Sequence, residues 1–156
     1  MYAADAKWWL HHIEAVRETF KGELYTQFRD EKELAFAKEH GITPVQGVDK
    51  TGLGRGLLHF NGNSGAQAIN LAYLKGATRI LLIGYDMQNT NGEFHWFGKH
   101  PHGLANCNYA SYQHRFTVLA DELEKEGVEV INCSRQTGLT QFKRMTIDEA
   151  LKCGQS

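Results

Sequence analysis

The sequence predicts an α/β protein, a three-layer α/β/α arrangement built on a mostly parallel sheet. Two observations predict it. Residues 59–87, HFNGNSGAQAINLAYLKGATRILLIGYDM, pass from a polar, glycine-broken turn into an amphipathic helix. After Lys75-Gly76-Ala77 they continue into an apolar strand, Arg79 to Ile83, that stops at Gly84-Tyr85-Asp86. Strand-like and helix-like segments also alternate along the rest of the chain, the pattern that lays helices on both faces of parallel strands. Ligands of such sheets lie beyond the carboxyl ends of the strands. The turn Asn61–Gly65 and the strand end Gly84–Asp86 are therefore expected side by side at one pocket.

Each element follows from local chemistry. Met1 to Asp5 reads as a short strand ending in an acid. From Ala6, the positions Trp8, Trp9, His12, Ile13 and Val16 have near-helical spacing, giving a helix to about Phe20. Leu24 to Phe28 suits a strand. Asp30 to Glu39 reads as a helix, with Asp30 as its N-cap and Gly41 just past its end. Ile42 to Val48 is a further short strand despite Pro44, and Asp49 to Gly56 is a loop. Leu57 to Phe60 is a brief strand that feeds the turn. Periodicity fails from Gln88 to Asn108, and a structureless connection of this length in a compact domain is commonly a lid over a site. Tyr109 to Gly127 returns to helix, with Tyr112, Phe116, Leu119 and Leu123 on one face. Val128 to Cys133 is read as the last strand, and Thr146 with Glu149 as the capping box of a small closing helix.

Composition narrows the function classes. The chain has 156 residues, 42% of them hydrophobic. That suffices for one core and is too short for two ordinary domains, so 1–156 is taken as a single domain with 88–108 as its lid. Seventeen basic and eighteen acidic side chains give a net charge of −1. This provides no footprint for general nucleic-acid or anionic-membrane binding. Cys107, Cys133 and Cys153 are odd in number and widely spaced, which suits reduced thiols and a cytoplasmic protein. No apolar run approaches a membrane span.

The candidate site residues fall in three places. In the turn, Gly62 and Gly65 permit close approach of an anion to the amides at a helix N-terminus, while Asn61, Asn63 and Ser64 add side-chain donors. The alternative is that Ser64 only caps the helix and Gly65 only allows tight helix–strand packing. The turn matches neither GxGxxG nor GxxxxGK[ST]. Asp5 and Asp86 stand at strand ends, where a carboxylate receives a ribose hydroxyl, orients a histidine, holds a divalent metal or serves simply as a turn former. Tyr85 lies between Gly84 and Asp86. The segment Phe94–His102 carries His95, Lys99 and His100, with His95 and His100 placed to act as general bases at neutral pH. His100 and His102 also offer a chelating pair, but no metal motif is matched and no metal is assigned.

These residues carry a resemblance. The run Gly62-Asn-Ser-Gly65, the helix ending at Gly76, Arg79-Ile-Leu-Leu-Ile-Gly-Tyr-Asp86, the histidine-bearing segment, the long helix and Val130-Ile-Asn-Cys-Ser134 resemble a broad Rossmann-like group. That group includes bacterial CMP-sialic acid sialyltransferases and 6-hydroxymethylpterin diphosphokinase-like proteins. Nearly the whole chain is similar to small phage- or prophage-encoded proteins of unassigned role, some labelled "norphogenetic". The resemblance implies a nucleotide or nucleotide-sugar pocket lined by Asn63, Ser64 and Gly65, with Gly84 and Asp86 as its floor and Ser134 at its far wall. It also implies that His95 or His100 activates an acceptor hydroxyl. Two departures stand out. Met87-Gln88 replaces a tyrosine that the sialyltransferases place after the strand-end acid. The relatives also begin with a further strand and turn, so the first βα unit is expected to be lacking here.

Three functions are consistent with these features: a glycosyltransferase-like enzyme using a CMP- or UDP-linked donor, a non-catalytic phage protein capturing a nucleotide-like signal, and an assembly protein retaining only the fold. Nucleotide binding with transferase-like activity is the leading expectation. Tyr2, Trp8 and Trp9 beside an exposed first strand suggest a homodimer, the alternative being that both tryptophans lie in the monomer core.

Overall fold

The computed structural model describes residues 1–89 and 109–153. It is a three-layer α/β/α fold in which every named strand pair is parallel. The elements in chain order are α1 (Ala6–Thr19), β1 (Tyr25–Phe28), α2 (Glu31–Glu39), β2 (Thr43–Val48), β3 (Leu58–His59), α3 (Ser64–Leu74), β4 (Arg79–Leu82), α4 (Tyr109–Lys125), β5 (Glu129–Asn132), β6 (Lys143–Arg144) and α5 (Ile147–Lys152).

The strands form two groups of three, ordered β1-β2-β3 and β4-β5-β6. The predicted first strand is reduced to a single parallel bridge, Tyr2 to Tyr25. It is flanked by hydrogen bonds from Tyr25 N to Met1 O and from Ala3 N to Tyr25 O. Asp5 then leaves the sheet at once, because its carboxylate accepts from Lys7 N at 2.8 Å and caps α1. The strand β6 is an addition to the expected set, which ended at Cys133. Two residues with exposed, basic side chains show no period, and only the parallel register Ile131 to Lys143 reveals them as a strand.

The predicted caps of α2 and α5 are present. Asp30 Oδ1 accepts from Glu33 N at 2.9 Å, and Thr146 and Glu149 form the reciprocal capping box. At α3 the cap is Asn63 rather than Ser64. Asn63 has extended backbone and its Oδ1 accepts from Ala66 N at 3.0 Å, which makes Ser64 the first helical residue.

Packing explains how the two strand groups stay together. Leu24 and Tyr25 are consecutive and point to opposite faces, as strand geometry requires. On the first face, Trp9, Ile13 and Val16 of α1 bury against Ala37 of α2, Ile42 and Leu24. On the second, Leu71 and Leu74 of α3 pack with Leu58, Phe60, Tyr25 and Val45. The other side of α3, through Ala66 and Ile69, joins Leu82, Phe116, Leu119, Leu123 and Val130 in the largest cluster. Residues 66, 69 and 73 form one helical stripe and 71 and 74 another, so α3 is apolar on two sides and joins both halves. Among the described residues no hydrogen-bond ladder links the two strand groups.

Trp9 is fully buried and donates its indole N–H to Ala3 O at 3.0 Å. Trp8 is half-buried, edge-on to Trp9 and tilted over His12. One tryptophan is therefore core.

Candidate functional site

The turn between β3 and α3 is held by buried amides. Asn61 is fully buried. Its Oδ1 accepts from Gly52 N, and its Nδ2 donates to Gly52 O and His59 O. The side chain expected to meet a ligand thus anchors the preceding loop to the turn. Asn70, also fully buried, accepts from Gly54 N and His59 N and donates to Gly54 O. Glu122 of α4 accepts from Leu53 N. Gln67 donates to Phe60 O and accepts from the Tyr2 hydroxyl. Burial leaves the Tyr2 phenol raised well above its ordinary pKa, since ionisation in a desolvated place is unfavourable, and the charge of Arg29 opposes the rise only in part.

Above this network lies a cavity of about 300 Å³ lined by Arg29, Asp49, Asn63, Ser64, Gln67 and Arg115, with Gly62 and Phe60. Arg29 follows the end of β1 and stacks 4.7 Å above the Phe60 ring, with Glu33 at 3.8 Å. Arg115 projects from α4 over Gly62. A Cβ on Gly62 would lie 2.5 Å from the Arg115 guanidinium, and φ at Gly62 is +59°. Glycine is favoured there by its left-handed conformation, while the guanidinium, at the end of a flexible side chain, could shift to admit a Cβ. The first-turn amides of Ser64 and Gly65 have no helical carbonyl within reach. The cavity thus holds two guanidinium groups, one carboxylate and the positive end of an 11-residue helix.

A second, larger cavity of about 880 Å³ opens beyond the carboxyl ends of β4 and β5 and beside β6. It is lined by Ile83, Gly84, Asp86, Ser134, Arg135 and Arg144, together with Cys133, Gln136, Met145, Thr146 and Ile147. Ser134 is buried; its Oγ accepts from Tyr85 N at 2.8 Å, and its own N–H donates to Asn132 Oδ1.

Tyr85 stands between the two cavities. Its hydroxyl donates to Gly65 O at 3.1 Å, and its carbonyl accepts from Thr137 Oγ1 at 2.6 Å. Burial pushes its pKa up to about 12. A Cβ on Gly65 would meet the Tyr85 ring at 2.9 Å, so Gly65 does permit tight helix–strand packing. The turn and the strand end therefore touch, as the sequence implies, but they line separate cavities. Gly62, Asn63 and Ser64 line the smaller one; Gly84, Asp86 and Ser134 line the larger. Asp5, Asn61, Gly65 and Tyr85 line neither.

His95, Lys99 and His100, and the lid apart from Gln88 and Asn89, lie outside the described residues. Among the described residues no group of three His, Cys, Asp or Glu is placed to hold a metal ion, and Cys133 and Cys153 are free thiols. No helix among them is long and apolar enough to cross a membrane.

Four arginines escaped sequence reasoning. Arg29 had a signal in its position at the carboxyl end of a predicted parallel strand. Arg115 sits within a helix with nothing to distinguish it from a solvated charge. Arg135 and Arg144 flank a loop and a strand that has no sequence period.

The fold defines the class: a Rossmann-like α/β topology of the kind often associated with nucleotide binding. No protein-family model matches the chain, and no curated protein or solved structure matches it significantly.

Proposed function

We propose that the protein binds a nucleotide or nucleotide sugar, with a phosphate group held in the smaller cavity. The observation that carries this reading is the convergence of Arg29 and Arg115 on the amino end of α3. Guanidinium groups match phosphate oxygens in a bidentate fork, and the first-turn amide of Ser64, which has no helical carbonyl to bond, adds a donor at the positive pole of the helix dipole. Asn63 and Ser64 border the same space. Asp49 is placed to accept from a ribose hydroxyl. A CMP- or UDP-linked sugar suits this arrangement.

A transferase-like step adds a base. In the proposed reaction a histidine, His95 or His100, removes the proton of an acceptor hydroxyl as that oxygen bonds to the anomeric carbon. The bond to the nucleotide phosphate breaks, and the leaving phosphate keeps the electron pair. Asp86 orients the base or the acceptor. The homodimer and the phage-type kinship belong to the same proposal and rest on the sequence.

The test is a thermal-shift titration of the purified protein with CMP, UDP and their sugar conjugates, since a ligand selective for the native state raises its apparent stability. The expected result is a saturable rise in Tm that Arg115→Gln weakens by about tenfold in apparent affinity, the scale of one lost charge-assisted contact. His95→Ala or His100→Ala is expected to abolish transfer and spare binding. No shift with any nucleotide would overturn the reading, and binding without turnover would reduce it to capture.

A further inference from the structure

The seven arginines of the chain divide by their partners. Arg17, Arg29, Arg55 and Arg79 each lie within 4.0 Å of a glutamate, at 3.7, 3.8, 2.7 and 2.7 Å respectively. Arg115, Arg135 and Arg144 have no carboxylate within that distance among the described residues, and all three line a cavity. Arg115 belongs to the site already proposed. The other two belong to the larger cavity, where the nucleotide reading assigns nothing to either.

Arg144 is held in place. Its Nη2 donates to Ser134 O at 2.8 Å and to Arg135 O at 3.2 Å, which orients the guanidinium and leaves Nη1 and Nε without an acceptor among the described residues. Arg135 brings a second, exposed guanidinium to the same lining. The opposing character is apolar: Ile83 is 68% exposed despite lying at the end of a strand whose Leu82 is buried, and Met145 and Ile147 join it in the lining. An isoleucine left this open beside a cavity supplies a surface on which an apolar body loses water favourably. Among the described lining residues Asp86 is the one carboxylate, and its charge disfavours an oxyanion beside it relative to one at the arginines.

We infer that this cavity is a second ligand site, for an organic oxyanion with an apolar body, such as a carboxylate or a phosphate monoester. Arg144 supplies a preoriented fork for the anion, Arg135 adds charge, and Ile83, Met145 and Ile147 cover the apolar portion. With a nucleotide at α3, the ligand would be a co-substrate; without one, the cavity binds it all the same.

The probe is phenyl phosphate, followed by ligand-observed NMR titration of the full chain, with inorganic phosphate as the control. Phenyl phosphate is expected to saturate one site and to bind at least about tenfold more tightly than inorganic phosphate, as burial of a ring requires. Arg135→Gln, which removes no hydrogen bond within the described protein, is expected to weaken both probes by about tenfold. Ile83→Ser is expected to weaken phenyl phosphate alone. Arg144→Gln gives the largest loss, and Arg135→Gln keeps the test sound should that variant unfold. Unsaturable binding would overturn the inference. So would a loss on Arg115→Gln with none on Arg135→Gln, which assigns the anion to the smaller cavity and leaves the nucleotide reading standing. Failure of every nucleotide to bind, with phenyl phosphate still lost on Arg135→Gln, would sink the nucleotide reading and support this one.

Discussion

The half of the molecule built on β1-β2-β3 and the half built on β4-β5-β6 both bury hydrogen-bonded amides, Asn132 of β5 among them, but they border cavities of different size and character. In the first, Asn61, Asn70 and Gln67 are buried and spend their amides on backbone groups of the loop and turn. The cavity above them is small and charged. In the second, the strand ends stop short, Ile83 is left exposed, and the cavity is larger with an apolar side. A satisfied buried network fixes one geometry, because any displacement strands a desolvated donor or acceptor. Both halves carry such a network, so the difference between the two cavities lies in their linings: charged and small in the first, larger and partly apolar in the second.

The largest effects test whether these halves are separate bodies. Trp9→Ala empties the core under α1, and Phe116→Ala empties the cluster under α4; each is expected to cost about 3–5 kcal/mol. Because α3 contributes residues to both its neighbouring clusters, urea unfolding followed by circular dichroism should remain a single transition in the wild type and in both variants. Two resolved transitions, each moved by only one substitution, would break the comparison into two independent folding units.

A smaller effect sharpens the contrast in polar groups. Asn70→Ala strands Gly54 N, Gly54 O and His59 N, and is expected to cost about 2–3 kcal/mol. Asp86→Ala, whose carboxylate has no partner among the described residues, is expected to change stability by less than about 0.5 kcal/mol. The midpoints of urea unfolding give both values. A costly Asp86→Ala would show that this carboxylate is held as firmly as the buried amides.

A last effect, confined to alkaline pH, concerns the tyrosine between the cavities. Burial pushes Tyr85 up to about 12, whereas an unfolded tyrosine ionises at about 10. Between those values the unfolded chain releases a proton that the native state retains, so stability is complete below about pH 10 and falls as pH rises towards 12. Tyr2, raised in the same direction, adds to the fall. Tyr85→Phe should reduce the alkaline loss by up to about 2 kcal/mol. A pH profile between 8 and 12 identical to that of wild type would show that Tyr85 is already ionised or solvated in the native state.

The sequence by itself determined the class of the fold, the order of its helices and of strands β1 to β5, and the caps of α2 and α5. Those features rest on contacts between near neighbours: apolar periods, an acid or threonine before a helix, a glycine after one. It also marked Gly62 and Gly65, whose roles follow from their lack of a side chain. Only the tertiary structure decided that the turn and the strand end line separate cavities, because Tyr85 fills the space between them through a hydroxyl bond to Gly65. Only the tertiary structure turned Asn61 from an apparent ligand contact into a loop anchor, since its partners at Gly52 arrive from another segment. The same holds for Arg115 and Arg144. A charged side chain on a helix or a short strand carries no local sign of whether a carboxylate will reach it, and among the described residues none does.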